Sequence, residues 1–417
     1  MMNDIFSQAL NISSPWVITD LKFDTDLKQL DIQIDFKSGT KFKYESKTEG
    51  ITGEFSVHDT VKKTWRHLNF FEHECYLHTR TPRIKLNNGK VRQIQPPWAG
   101  KSNGFTLLFE ALLLQLCCEM PVNAVSRLTS VDDNKIWRML NTYIEKAREY
   151  NDFSEVTQIG LDETSRQKHH DYVTLFVDLK KRKTIFVTDG KDNKTVNEFC
   201  KDFESHKGSS KKITDVSSDM SPAFIKGIGE YLPNAKITFD KFHLIKVINT
   251  AVSEVRRNES KENDLLKGTK NIFDKNRDNM TIKQLMYLES KLEIKSLRLK
   301  TVRALHLREA FQEIYKSESK DEFVKKLKKW YSWAIRSRLE PMKNAAKTIK
   351  SHWEGVIEWY DSGISNGILE GLNSLIQSAK SKARGFKTSA NFKIIIYLVT
   401  GNLSFSKVNK CYKSLKN

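Results

Sequence analysis

Hydrophobic and polar positions change rhythm twice along this chain. In residues 1–50 they alternate over short stretches, as in "LDIQIDFKSG" (Leu30 to Gly39). A period of two puts every second side chain on one face, so small β-hairpins are expected there. "TWRHLNFFEHECYLHTRTPRIK" reads as two further strands, and "PPWAG" (Pro96 to Gly100) breaks the pattern. The period then lengthens. "FTLLFEALLLQLCCEM" reads as an apolar helix, "PVNAVSRLTS" as a short helix opened by Pro121, and "DDNKIWRMLNTYIEKAREY" as a third helix with Asp132 or Asp133 near its start. Long helix, short helix, turn and basic helix is the order of a helix-turn-helix, although three-helix patterns also occur without that role.

Strands return after Tyr150. "VTQIGLDET", "DYVTLFVDLK" and "KTIFVTDG" are three successive β runs, followed by the helix "KTVNEFCKDFESH", the strand "KKITDVSSD", the helix "SPAFIKGIGEYL" and the strand "NAKITFD". That order predicts an α/β domain with a mixed sheet flanked by helices. Ribonuclease-H-like folds share it, and so do other α/β domains. From Lys241 to about Tyr360 the chain is charged and helical with no strand signal, which reads as an all-helical insertion. The expected organisation is therefore a small β-rich domain (1–98), a helix-turn-helix (99–150), an α/β core (151–250 and 361–417) and a helical insertion (251–360).

Composition narrows the function. Against 51 Asp and Glu the chain sets 70 Lys and Arg, a formal net charge of +19 over 417 residues, which favours a polyanionic partner, nucleic acid first. "IIIYLV" (Ile394 to Val399) is too short to span a bilayer, and "MMNDIFSQALNISS" lacks the basic start and apolar stretch of a secretory signal. Cys75, Cys117, Cys118, Cys200 and Cys411 are an odd count without a CxxC pair, as in a reduced, cytoplasmic protein.

One later helix carries an unusual polar face. In "SNGILEGLNSLIQSAKSKARG" (Ser365 to Gly385) helical spacing gathers Asn366, Glu370, Asn373, Gln377, Lys380 and Arg384 on one side. Ile368, Leu369, Leu372, Leu375, Ile376 and Ala379 form the apolar side. Glu370 is the last acidic residue of the chain; every later charge is Lys or Arg.

Three aspartates close β runs: Asp162 in "QIGLD", Asp219 in "ITDVSSD" and Asp240 in "ITFD". Alternation places Asp162 on the side of Gln158 and Gly160, opposite Ile159 and Leu161. Strand ends beside a crevice are where open α/β sheets do chemistry. Each acid also suits a turn or a helix cap. Taken together with Glu370 they match phosphodiester cleavage, in which two Mg2+ ions about 3.5–4 Å apart grip the attacking and leaving oxygens. Mg2+ takes oxygen ligands and keeps several waters, so two or three carboxylates are enough.

"GLDETSRQKHHDYVTLFVDL", "SSDMSPAFIKG", "ITFDKFHLIKVINTAVSEVRR", "SRLEPM" and "SNGILEGLNSLIQSAKSKARGF" together resemble the ISL-three family of bacterial insertion-sequence transposases. "VHDTVKKTWRHLNFFEHECYLHTRTPR" and "GFTLLFEALLLQLCCEMPVNAVSRL" extend the resemblance over nearly the whole chain. It implies a DDE transposase with a ribonuclease-H-like core interrupted by a helical insertion. Carried over by motif, the catalytic, metal-binding acids are Asp162, Asp219 and Glu370, holding two Mg2+ (or Mn2+) ions. "DKFH" resembles a D-x-x-H signature and points to Asp240 and His243 as active-site neighbours. One departure stands out. Relatives carry a cysteine-paired zinc finger, whereas His58, His67, His73, Cys75 and His78 have no finger spacing, so structural zinc is not expected.

The expected partner is double-stranded DNA, both transposon ends and target, bound by a homodimer or higher oligomer in a bacterial, nucleoid-associated setting. Arg127, Lys135 and Arg138, with the basic stripe Lys380, Lys382, Arg384 and Lys387, are the candidate DNA contacts. A repressor or inactive transposase-derived protein that binds DNA without cutting is the alternative.

Overall fold

The computed structural model describes residues 2–413 apart from 47, 103, 168–170, 274, 276–278, 294–298 and 365–366. Asn366, placed above on the polar face of its helix, lies outside the described residues. The chain divides into two compact units. The first is Met1–Asn151 with Ser381–Arg384 and Leu403–Asn417; the second is Asp152–Lys380 with Gly385–Asn402.

In the first unit a short helix, α1 (Met2–Ala9), precedes strands β1 (Trp16–Asp24), β2 (Gln29–Phe36), β3 (Lys41–Ser46), β4 (Ile51–Phe70), β5 (His73–Lys85) and β6 (Val91–Gln93). They form one sheet in the order β1-β2-β5-β4-β3, with β6 beside β5. All pairs are antiparallel except β2 with β5. The alternation read in Leu30 to Gly39 is real: Leu30, Ile32 and Ile34 are buried. They join a core that includes Trp16, Phe42, Trp65 and Trp98, where Trp16 and Trp98 meet edge-on at 5.1 Å. His67 and Cys75 face one another across β4 and β5. Burial drives the His67 imidazole down to about 4 and the Cys75 thiol up to about 12, and His67 Nδ1 sits 2.9 Å from the Thr106 hydroxyl.

Helices α2 (Leu107–Glu119), α3 (Val122–Thr129) and α4 (Asp133–Arg148) belong to the same unit. Their ends follow the sequence signals. Thr106 accepts from Phe109 N–H, Asp132 from Asn134 and Lys135 N–H, and Ser130 ends α3 in the left-handed region. The chain's C-terminal stretch packs here too: Asn409 Nδ2 donates to the Leu107 carbonyl and to the Tyr143 hydroxyl, each at 2.7 Å. The expected core segment 361–417 therefore parts company with its sheet after Asn402.

The second unit is built on β7 (Gln158–Gln167), β8 (Asp171–Asp178), β9 (Lys183–Asp189), β10 (Asp215–Ser218) and β11 (Lys236–Phe239), in the order β11-β10-β7-β8-β9. β7, β8 and β9 form an antiparallel meander, and β10 and β11 run parallel to β7. Helices α5 (Asn193–Ser205) and α6 (Pro222–Tyr231) cover one face. There Ile159, Leu161, Phe176, Phe199, Phe203 and Phe224 are buried together, with Phe176 stacked on Phe199 at 4.3 Å.

Beyond β11 follow α7 (Lys241–Glu259), α8 (Lys270–Phe273), α9 (Ile282–Glu293), α10 (Lys300–Ile314), α11 (Lys320–Arg336), α12 (Glu340–Ser351) and α13 (Trp353–Ser362). Ala251, the expected start of the insertion, falls inside α7. Phe239 of β11 also shares one core with Leu244, Phe311, Trp330 and Val356, so α7 and the following helices pack continuously with the sheet edge. Helix α13 lies so close to β11 that a Cβ on Gly355 would run into the Phe239 ring and come within 3.0 Å of the Ile237 carbonyl. Gly355→Ala is expected to destabilise the unit by about 1–3 kcal/mol, read as a lowered unfolding midpoint.

The unit closes with α14 (Gly367–Lys382) and α15 (Ser389–Thr400). "IIIYLV" is thus a helix core rather than a strand. No described helix is long and apolar enough to cross a membrane.

A row of acids beside helix α14

The parallel register lines up the three strand-end aspartates. Ser217 of β10 pairs with Gly160 of β7, and Ser218 pairs with Phe239 of β11. Two residues further along β7 and β10, and one further along β11, stand Asp162, Asp219 and Asp240. The Asp240 N–H still bonds the Ser218 carbonyl at 3.2 Å, so the ladder continues to this level. Adjacent strands run about 4.8 Å apart, so three separately encoded carboxylates fall into one row.

Burial and like charges show in the protonation of Asp162. Burial first, with the like charges of Asp219 and Asp240 adding to it, pushes Asp162 up to about 6; the Glu163 N–H and His243 pull the other way. Glu163 is raised as well, by burial and then by Asp219. His243 Nδ1 lies 2.9 Å from Asp240 Oδ2, and that contact raises the imidazole above its usual range.

The acids also do the local structural work expected of caps and turns. Asp240 is 5% exposed, begins α7 and accepts from Phe242 N–H at 2.8 Å. Asp219 accepts from Ser221 N–H at 3.0 Å just before α6. A cap uses one carboxylate oxygen and leaves the other, and at Asp240 that second oxygen is the one that meets His243.

Helix α14 approaches the face of β7 that carries Gly160, Asp162 and Thr164, as the alternation predicted. At Gly160 a Cβ would lie 2.9 Å from Leu369, so glycine admits the helix. Asn373 Nδ2 donates to Asp162 Oδ2 at 2.5 Å, Gln377 Nε2 to Thr164 Oγ1 at 2.7 Å, and Lys380 Nζ to the Ser165 carbonyl at 2.5 Å. Arg166 Nη1 holds the turn after the helix through the carbonyls of Phe386 and Lys387, both at 2.9 Å.

The polar face of the helix is thus partly turned to the sheet. Leu369, Leu372 and Ile376 are buried, whereas Leu375, assigned to the apolar side, is 54% exposed. Asn373 and Gln377 reach the site through amide groups, which carry no charge signal in a sequence.

Asp162, Asp219, Asp240 and His243 are therefore brought together. Glu370 is exposed in the first turn of α14, one turn before Asn373. Among the described residues no three His, Cys, Asp or Glu side chains converge as a formed metal cluster. The carboxylate oxygens of Asp162 and Asp219 suit a hard divalent cation, and the like-charge repulsion that adds to the burial of Asp162 is what such a cation relieves. Of the DNA-contact candidates, Arg127, Lys135 and Arg138 are exposed on α3 and α4, and Lys382, Arg384 and Lys387 are exposed at and after the end of α14. Lys380 differs, since its ammonium is engaged by Ser165.

Known proteins match both units. Residues 159–396 fit the transposase family of the ISL3 DDE type, and residues 94–144 fit the helix-turn-helix domain of transposase family ISL3. A catalytic domain of that kind joined to a helix-turn-helix defines a DNA transposase, and such a domain implies dependence on a divalent metal. The transposase for insertion sequence element IS1001 of Bordetella parapertussis is 25% identical over 350 residues, covering 81% of this chain and 84% of that protein. The transposase for insertion sequence element IS1557 of Mycobacterium tuberculosis is 24% identical over 359 residues, covering 78% and 79%. The chain belongs to the ISL3 family of transposases.

Proposed function

We propose that the protein binds the terminal inverted repeats of its insertion sequence and catalyses strand cleavage and strand transfer there. The observation that carries this reading is the row of Asp162 and Asp219 on adjacent parallel strands of a mixed α/β sheet, with the helix bearing Glu370 laid against β7. Asp162, Asp219 and Glu370 would hold two Mg2+ or Mn2+ ions. When bound, such ions activate the attacking oxygen and stabilise the departing one.

The chain's own residues set the stage. Asp162 and Asp219 present oxygens from a rigid sheet, and the DNA backbone is met by exposed Lys and Arg. Asp240 anchors His243 beside the row, where the imidazole contacts DNA or steadies the acids. No covalent protein–DNA intermediate is needed. End recognition falls to the helix-turn-helix, on a homodimer or higher oligomer.

The test is an end-bearing duplex incubated with Mg2+ and either wild type or Glu370→Ala. Loss of nicking in the variant supports the assignment of the third acid; undiminished nicking removes Glu370 from it. A DNA-binding protein that does not cut is favoured by one observation, the exposure of Glu370 away from a formed cluster. Absence of metal-dependent nicking in the wild type would select that reading.

Replacing Arg127, Lys135 and Arg138 together by alanine is expected to weaken binding to the ends. The slope of log affinity against log salt should fall by about one for each phosphate that is no longer neutralised. Gel-shift titrations across salt measure this, and an unchanged slope removes these residues from the interface.

A further inference from the structure

Asn373, Gln377 and Lys380 all dock α14 on β7, but only Asn373 touches an acid. Its amide donates to Asp162 Oδ2, while Asp162 Oδ1 accepts from Glu163 N–H at 2.8 Å. Each carboxylate oxygen so keeps lone-pair capacity for a further partner. The amide's own oxygen, Asn373 Oδ1, is buried with no hydrogen-bond partner among the described residues. An unpaired buried acceptor costs about 1–3 kcal/mol, a penalty that helix docking alone does not require. An apolar side chain would dock the helix without it. The costly group sits where the helix meets Asp162, three residues after Glu370.

The geometry points to Asn373 as a positioning residue for divalent-cation binding: its amide fixes the Asp162 carboxylate and ties to it the helix that carries Glu370. This rests on the reading of Asp162 as a cation ligand. Ligating carboxylates are themselves held by hydrogen-bond donors, and removing such a donor typically costs about 10–100-fold in metal affinity.

The experiment titrates Mn2+ into the full-length, DNA-free protein and follows free Mn2+ by electron paramagnetic resonance. Wild type is compared with Asn373→Ala, Gln377→Ala and Asp162→Ala, and a thermal melt of each confirms folding. Asn373→Ala is expected to bind Mn2+ about 10–100-fold more weakly. Gln377→Ala, which removes a hydrogen bond to β7 but none to an acid, stays close to wild type. Should Asn373→Ala fail to fold, Asn373→Leu keeps nearly the same size without the donor and is expected to show the same weakening. Equal weakening in Asn373→Ala and Gln377→Ala reduces Asn373 to helix docking and overturns the proposal, as does unchanged affinity in Asn373→Ala. Wild-type protein without saturable, Asp162-dependent Mn2+ binding overturns the cation reading itself, and the proposal falls with it.

Discussion

Asp162→Ala or Asp219→Ala protein is expected to lose Mg2+-dependent nicking of an end-bearing duplex by on the order of 10^3-fold, the equivalent of several kcal/mol of transition-state stabilisation. Binding to the same duplex should persist, because neither substitution removes a cationic side chain. Retained nicking in either variant would remove that acid from the site. Asp162 adds a pH signature. Burial and its acidic neighbours raise it from 3.8 to about 6, so in the folded protein it holds its proton to higher pH than when unfolded. Its contribution to stability is therefore greatest below pH 4 and is lost as pH rises through about 6. In metal-free buffer near pH 7.5, Asp162→Asn is accordingly expected to melt higher, by roughly 1–2 kcal/mol, while failing to nick. A variant that melts lower at that pH would contradict this account of a buried acid beside like charges. With limiting Mg2+, wild-type nicking should also fall away below about pH 6 as Asp162 takes up its proton.

The second large effect lies in the DNA-reading unit. Glu110 is fully buried in α2, where its carboxylate accepts from Lys101 N–H at 2.7 Å, Ser102 N–H at 2.8 Å, the Ser102 hydroxyl and the Tyr143 hydroxyl at 2.8 Å. Tyr143 in turn accepts from Asn409, so one acid links the loop before α2, the core of α4 and the C-terminal stretch. Burial, with Glu110 beside it, raises the Tyr143 phenol far above its ordinary value, which keeps it a donor. Glu110→Ala removes the shared acceptor and leaves these buried donors unmatched. A destabilisation of roughly 3–5 kcal/mol is expected, together with loss of end binding. Denaturant unfolding followed on the tryptophans measures it, and a variant within about 1 kcal/mol of wild type would show that water replaces the carboxylate.

Much of this was legible in the residues. Each β run after Tyr150 became a strand and each intervening amphipathic stretch a helix, because alternation and helical spacing are local consequences of backbone geometry. The side of β7 on which Asp162 stands was read correctly from Ile159 and Leu161, which are buried on the opposite face. Less was legible where one segment suits two partners. "IIIYLV" serves a buried strand or a buried helix equally, and only its place against β9 made it α15. On α14 the amphipathic count set Leu375 on the apolar side and Gln377 on the polar side; Leu375 is exposed, and Gln377, exposed as well, still reaches Thr164.

The sequence by itself determined most of the elements, which depend on neighbours in the chain, and the strongly basic charge. Only the tertiary structure decided that residues 162, 219 and 240 share one row and that Asn373 stands on Asp162. It also decided that the C-terminal stretch joins the first unit through Asn409. Each of those facts depends on strand pairing or packing between segments dozens to hundreds of residues apart, and local periodicity carries no record of which distant face a segment will meet.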